Sequence, residues 1–135
     1  NILHVCGKGN AKDVNIYGYK QVEFTNDMGL VYACADAAVS RCGSNTSNEL
    51  IALKIPTLFI PLENRRSRGD QLKNAEYFQS QRLCRVLSEK ELTDLKLLEG
   101  IYRLIGDKNL KKTLDLCQVK CGNEKIVKEI TASLR

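Results

Sequence analysis

Short apolar runs alternate with segments whose apolar residues recur at helical spacing, and this alternation holds over the first two thirds of the chain. Residues 2–6 read as a strand carrying His4 and ending in the flexible turn Gly7-Lys8-Gly9-Asn10. Residues 14–19 are polar and aromatic and fit neither period, and residues 21–24 read as a second strand. Thr25, Asn26 and Asp27 then offer caps for a helix through Met28, Leu30, Val31 and Ala33. A third short run, residues 37–39, breaks at Arg41-Cys42-Gly43. Ser44, Asn45, Thr46 and Ser47 favour a helix N-cap, and Glu49 leads into Leu50-Ile51-Ala52-Leu53. Residues 56–62, a strand between two prolines, precede a polar loop that ends in Gly69-Asp70-Gln71, a helix over 70–80 and a last strand over 83–87. Beyond it the pattern is helical only: Leu92, Leu95, Leu97, Leu98, Ile101, Leu104 and Ile105 follow a Thr93 cap, and two further helices are predicted over 108–117 and 123–134.

Strands alternating with helices predict an α/β fold, a Rossmann-like parallel sheet with helices on both faces, here finished by a helical C-terminus. Ligands of such sheets bind at the carboxyl ends of the strands. The turns at Thr25, at Cys42 to Thr46 and at Glu63 to Gln71 are all expected at that edge. The second is the richest in chemistry. The first N–H groups of a helix have no partner inside it, and with the positive end of the helix dipole they form a seat for phosphate. Glu49, one turn further in, is placed where ribose hydroxyls of a nucleotide could reach it.

The 135 residues, 43% of them hydrophobic, are enough for one modest domain with a core, expected to span 1–135. No apolar run approaches the roughly 18 residues that cross a bilayer, and no leader pattern is recognised. Because the chain opens on a strand, it is expected to be part of a larger protein. Cys6, Cys34, Cys42, Cys84, Cys117 and Cys121 form no C-x-x-C pair and are expected to be reduced thiols. Cys117 and Cys121 are expected on one helix face, without the further ligands a metal site needs. Gly7-Lys8-Gly9 lacks the first glycine and the hydroxyl residue of a P-loop, and Asn45-Thr46-Ser47 is a glycosylation sequon by pattern only. His4 is expected to be a hydrogen-bonded core residue, and Phe59 and the leucines near Leu95 are expected in the core. The net charge is +5. Residues 1–60 balance five cations (Lys8, Lys12, Lys20, Arg41, Lys54) against five acids (Asp13, Glu23, Asp27, Asp36, Glu49), so the whole excess lies beyond them, part of it in Arg65, Arg66 and Arg68. Such a face attracts a diphosphate, an anionic lipid head group or nucleic acid, or is merely solvated.

Six ordered motifs give the chain a family likeness: His4-x-x-Gly7-Lys8-Gly9, Phe24-x-x-Asp27-Met28, Ala35-Asp36, Ser40-Arg41-x-Gly43-x-x-Thr46-x-x-Glu49, Pro56-x-x-x-Ile60-Pro61 and Gly69-Asp70-Gln71-x-x-Asn74-Ala75. In order and approximate spacing they resemble the C-terminal half of the MurG family, which transfers N-acetylglucosamine from its UDP derivative to the lipid-linked muramoyl-pentapeptide of peptidoglycan synthesis. The resemblance implies the nucleotide-sugar-binding half of a glycosyltransferase B fold. It implies that Phe24 and Met28 wall the uracil and the Thr25 backbone reads its edge. It implies that Gly43, Ser44, Asn45 and Thr46 meet the diphosphate, that Glu49 binds the ribose, and that Asp70 and Gln71 hold the sugar hydroxyls. It further implies no cofactor, no metal and no nucleic-acid partner, a cytoplasmic protein peripheral on the inner membrane face, and a lipid-linked acceptor held by an N-terminal domain absent from this chain. Without that domain and its glycine-rich loop the chain is expected not to catalyse transfer. The loop before Asp70 is about two residues longer than usual in the family, and Cys42 stands where a smaller residue is usual. Two alternatives remain open on sequence: a stand-alone sugar-nucleotide subunit of a split transferase, and a nucleotide-binding module without chemistry.

Overall fold

The computed structural model describes residues 1–63, 69–119 and 123–133. The chain divides into two compact units, Asn1–Cys34 and Ala35–Arg135. In the first, β1 (Ile2–Val5) pairs in parallel with β2 (Tyr19–Val22), Ile2 opposite Tyr19 and Val5 opposite Val22. A parallel pair needs a crossover of a dozen or more residues, usually helical. Here residues 6–18 make it without a helix, so no crossover helix covers the pair and all four residues of β1 are exposed. His4 is therefore hydrogen-bonded as expected, its Nδ1 lying 2.8 Å from the Tyr19 hydroxyl, but it is exposed rather than in a core. Helix α1 (Met28–Ala33) starts where Asp27 caps it, with Oδ1 accepting the Leu30 N–H at 2.9 Å.

In the second unit β3 (Ala38–Ser40), β4 (Thr57–Phe59) and β5 (Arg85–Val86) form a three-stranded parallel sheet with β4 in the middle. Ser40 stands opposite Phe59, and Phe59 opposite Val86. The predicted parallel pairing is present, as three ladders in two sheets. Helix α2 (Ser44–Ala52) connects β3 to β4 and α3 (Asp70–Ser80) connects β4 to β5. A 3-10 turn (Glu89–Glu91) leads to α4 (Asp94–Ile105), α5 (Lys108–Leu116) and α6 (Asn123–Ser133). All three β4 residues are buried, as a strand covered on both faces must be. Phe59 packs in a core with Leu50 and Ile51 of α2, Phe78 of α3, Leu104 of α4 and Leu110 and Leu114 of α5. Each such side chain contributes about 1.5–3 kcal/mol through burial. Gly100 lets α4 approach β4, because a Cβ there would lie 2.9 Å from Leu58 Cδ2.

The leucines of α4 are only partly core. Its apolar residues occupy about half of the helix circumference, and the side facing β4 buries Leu104 and half-buries Leu97 and Ile101. Leu95, Leu98 and Ile105 are exposed. Cys117 does not continue a helix: it is extended, with φ −65° and ψ 128°, and ends α5, so the expected helical pair with Cys121 does not form; Cys121 lies outside the described residues. The Arg65 to Arg68 segment also lies outside them.

Candidate functional site

The turn from β3 to α2 is built as the sequence demands, with one difference. Gly43, not a hydroxyl residue, is the N-cap, with extended φ −67° and ψ 146°, and no side chain caps the helix. Ser44, Asn45 and Thr46 are its first three residues, so their N–H groups point out of the mouth without an intrahelical acceptor. The first intrahelical bond runs from Ser47 N–H to Gly43 C=O at 2.9 Å. Two polar side chains of the first turns fold back onto the helix: Ser47 Oγ and Asn48 Nδ2 both donate to the Ser44 carbonyl, at 3.1 and 2.8 Å. The φ of Gly43 is open to any residue, yet a Cβ there would meet nothing within 4 Å. Among the described residues, neither backbone strain nor packing against a Cβ accounts for glycine at this position.

Behind the mouth the helix is anchored by Ser47, Leu50 and Ile51, all buried. Glu49 is exposed and lies four residues after Asn45 and three after Thr46, hence below both on one side of the helix, about 6 Å down the axis for the four-residue step. Ser47 is drawn inward beside Cys42, whose buried thiol is pushed up to about 11 by desolvation, against a smaller lowering by the Ser47 hydrogen bond. Cys84 is pushed up to about 12, by burial first and by the proximity of Cys42 second.

Asp70 and Gln71 open α3 at the carboxyl end of β4, next to β3 in the sheet. Gly69, left-handed at φ 75°, is the N-cap, so Asp70 is not the cap but an exposed first-turn acid favoured by the helix dipole. Gln71 Oε1 accepts the Leu62 N–H at 3.0 Å, so part of this side chain holds the loop after β4. Asn74, one turn on, donates to the Cys42 carbonyl at 3.1 Å. The structure thus brings Gly43, Ser44, Asn45, Thr46, Glu49, Asp70 and Gln71 to two helix starts on one sheet edge.

Phe24, Thr25 and Met28 belong to the first unit. The Phe24 ring is exposed and carries Lys8 Nζ 5.1 Å from its centroid, a cation–π contact. Thr25 Oγ1 accepts the Asp27 N–H at 3.1 Å, leaving its backbone to define the turn, and Met28 is half-buried at the first position of α1.

Sequence reasoning missed a polar cluster at the same sheet edge. Arg41 Nη1 donates to the Ile60 carbonyl at 3.1 Å and Nη2 pairs with Glu89 at 2.7 Å. Glu63 takes the Ser88 hydroxyl, the Glu89 N–H at 3.1 Å and Lys90 Nζ at 3.3 Å. The Ser88 hydrogen bond foremost, then Lys90, keeps the Glu63 carboxyl below its ordinary value of 4.5. No sequence spacing signals these contacts, because they join residues 19 or more apart. Two apolar or polar hollows lie elsewhere: one against β1 and β2, lined by His4, Val14, Ile16 and Tyr19 among others, and one between β5 and α4, lined by Arg85, Glu99, Arg103 and Asp107 among others.

Among solved structures, the chain superposes on MurG of Acinetobacter baumannii with a TM-score of 0.69 and 21% identity, over 84% of this chain and 34% of that one. On the glycosyltransferase VinC, crystallised with DTDP, the TM-score is 0.70 at 21% identity over 88% and 30%. On SnogD from Streptomyces nogalater it is 0.67 at 18% identity over 96% and 35%. These likenesses are likenesses of fold: parallel strands flanked by helices, as in the C-terminal half of a glycosyltransferase B fold. By sequence, the chain is 44% identical over 105 residues to the UDP-N-acetylglucosamine–N-acetylmuramyl-(pentapeptide) pyrophosphoryl-undecaprenol N-acetylglucosamine transferase of Oceanobacillus iheyensis, covering 76% of this chain and 29% of the relative. It is 43% identical over 115 residues to the enzyme of the same name from Geobacillus thermodenitrificans, covering 83% and 32%. The chain therefore spans about a third of the length of the relatives it matches. Residues 1–130 match the model of the glycosyltransferase family 28 C-terminal domain, and the chain belongs to that family.

Proposed function

We propose that this chain is the donor-binding part of a transferase that takes N-acetylglucosamine from UDP-N-acetylglucosamine to a lipid-linked muramoyl-pentapeptide in peptidoglycan synthesis. The observation that carries the reading is the mouth of α2: three outward N–H groups, no side-chain cap, space in front of Gly43 and a glutamate one turn inward. The names of relatives at 40–44% identity support the choice of sugar nucleotide. In this reading Ser44, Asn45 and Thr46 donate to the diphosphate, Glu49 accepts from the ribose, Phe24, Thr25 and Met28 bound the uracil, and Asp70 and Gln71 meet the sugar hydroxyls.

The chemistry assigned to these residues is departure of the nucleotide. As the glycosidic bond breaks, negative charge grows on the diphosphate, and fixed N–H dipoles at a helix start stabilise it without having to reorganise. Activation of the acceptor oxygen is assigned to the part of the relatives' length that this chain does not span. The reading therefore treats residues 1–135 as one partial domain that binds donor and does not turn it over alone. It also carries a cytoplasmic location, peripheral on the membrane that holds the acceptor. No helix among the described residues is long and apolar enough to cross a membrane.

Calorimetric titration of the chain with UDP, UDP-N-acetylglucosamine, UDP-glucose and ADP tests the proposal. The expected order is tightest for UDP-N-acetylglucosamine and UDP, weaker for UDP-glucose and weakest for ADP. Equal heats, or none, for all four would remove the uridine assignment.

A further inference from the structure

The polar contacts at the carboxyl edge of the three-stranded sheet close into a ring that passes through the turn before α2. Arg41, two residues before Gly43, reaches back to the Ile60 carbonyl and sideways to Glu89 Oε1, at 3.1 and 2.7 Å. The other oxygen of Glu89 accepts the Glu63 N–H at 3.3 Å. Glu63 grips the Glu89 N–H in return, at 3.1 Å, so the two acids interlock through each other's backbones. The residue before Glu63, Leu62, donates to Gln71 of α3, and Asn74 of the same helix donates to the Cys42 carbonyl, at 3.0 and 3.1 Å. From Cys42 the path returns to Arg41. Glu89 touches the chain beyond β3 and the chain beyond β4 at once, one with each carboxylate oxygen, beside the direct bond from Arg41 to the Ile60 carbonyl.

We propose that Glu89 is a positioning residue for the diphosphate seat: by binding the Arg41 guanidinium and the Glu63 N–H together, it fixes the Arg41-Cys42-Gly43 turn in the orientation that aims the α2 N–H groups at the ligand. The inference rests on the reading given under Proposed function. Its physical basis is that a carboxylate presents two acceptor oxygens to two donors. A glutamine of the same size offers one acceptor and sets an NH2 against the second donor. One of the two contacts is then lost. A helix start that loses its fixed approach keeps its N–H groups but no longer holds them preorganised, and preorganisation is what makes such donors effective.

The variants are Glu89→Gln, Arg41→Lys and the pair together, read in two ways at a temperature where each is fully folded. In ligand-free protein, amide hydrogen exchange of Ser47, whose N–H is bonded to the Gly43 carbonyl, is expected to rise about fivefold or more in each single variant, with amides of β4 unchanged. UDP affinity is expected to fall about five- to twentyfold in each, and the double variant is expected to lose less than the product of the two single losses, because the Arg41 to Glu89 contact is common to both. Unchanged exchange at Ser47 overturns the proposal, as do losses that multiply in full in the double variant. Tighter UDP binding by Glu89→Gln also overturns it, since that would mean Glu89 merely neutralises an arginine that could otherwise attract the phosphates. If the unaltered chain gives no heat with UDP, the functional reading fails on its own, and amide exchange still decides whether Glu89 sets the turn.

Discussion

The carboxamide of Asn74 on α3 donates to the backbone carbonyl of Cys42 at 3.1 Å, one residue ahead of the glycine that opens α2. A side chain of one helix thereby holds the backbone that aims the next. Removing it in Asn74→Ala leaves a half-buried carbonyl without that donor, which costs about 1 kcal/mol. For a unit of this size the melting temperature should drop by about 4–8 °C, and UDP affinity should fall as well. Thermal unfolding and titration of one preparation check both. A variant with unchanged melting and unchanged affinity would show the bond to be idle.

Glu49 is exposed and makes no part of the core, so its replacement separates binding from folding. Glu49→Ala should weaken UDP binding by about 1.5–3 kcal/mol, roughly 10- to 150-fold, the worth of a charged hydrogen-bonding partner. Stability should fall by no more than about 1 kcal/mol, the usual ceiling for a contact made by an exposed charged side chain. Uridine diphosphate binding that is indifferent to the substitution would refute the ribose role.

Helices α2 and α3 end in the same motif on unusual residues. Lys54 and Arg82 both adopt left-handed backbone, at φ 61° and 57°. Each motif is closed by a pair of bonds, Ile55 N–H to Leu50 C=O at 3.0 Å with Lys54 N–H to Ile51 C=O at 3.1 Å, and Leu83 N–H to Phe78 C=O at 3.0 Å with Arg82 N–H to Gln79 C=O at 2.9 Å. A side chain in this conformation costs about 1–2 kcal/mol, whereas glycine costs about 0.5–1 kcal/mol in entropy. Arg82→Gly should therefore stabilise by about 0.5–1 kcal/mol, measured by urea unfolding. Lys54→Gly should gain less, because Lys54 Nζ also donates to the Cys117 carbonyl.

Cysteine chemistry should follow burial. At pH 8 a thiol held at about 11 is about one part in a thousand thiolate, and Cys84 at about 12 is tenfold less again. Folded protein treated with iodoacetamide should be labelled at exposed Cys34 long before Cys42 or Cys84, as peptide mass mapping will report. Early loss of Cys42 would contradict its packing beside Ser47.

Glu63 sets an acid limit. Its folded carboxyl titrates below the ordinary value of 4.5, because the charged form is held by Ser88, Lys90 and the Glu89 N–H. The stability it contributes is complete above that ordinary value and disappears as pH falls through the lowered one. The stability gap between the original chain and Glu63→Gln should be constant from about pH 5 to 7 and should narrow below about pH 4.5. A gap that widens in acid would reverse the assignment.

Much of this was legible in the residues. The strand, turn and helix around Gly43 and the helix from Asp70 follow from local cap chemistry and apolar period, and the Thr93 cap is found as read, accepting the Lys96 N–H at 3.2 Å. The sequence did not reveal that residues 6–18 cross over without a helix, so His4 could not be recognised as exposed. It also did not reveal which part of a wide apolar arc faces β4, so Leu95 passed for core although 67% of it is exposed. The Glu63, Glu89 and Arg41 ring was invisible for a simpler reason. Its members meet only because three strands end side by side, and no local pattern records that.

Diphosphate binding by this chain rests, in the proposal above, on the N–H groups of residues 44–46. Amide nuclear magnetic resonance of the chain during titration with UDP observes those groups themselves. The Ser44, Asn45 and Thr46 resonances should move downfield and saturate together, and Gly43→Val, whose side chain fills the space before the mouth, should abolish the shift. Resonances at 44–46 that stay in place while UDP binds elsewhere, or does not bind, would contradict that proposal.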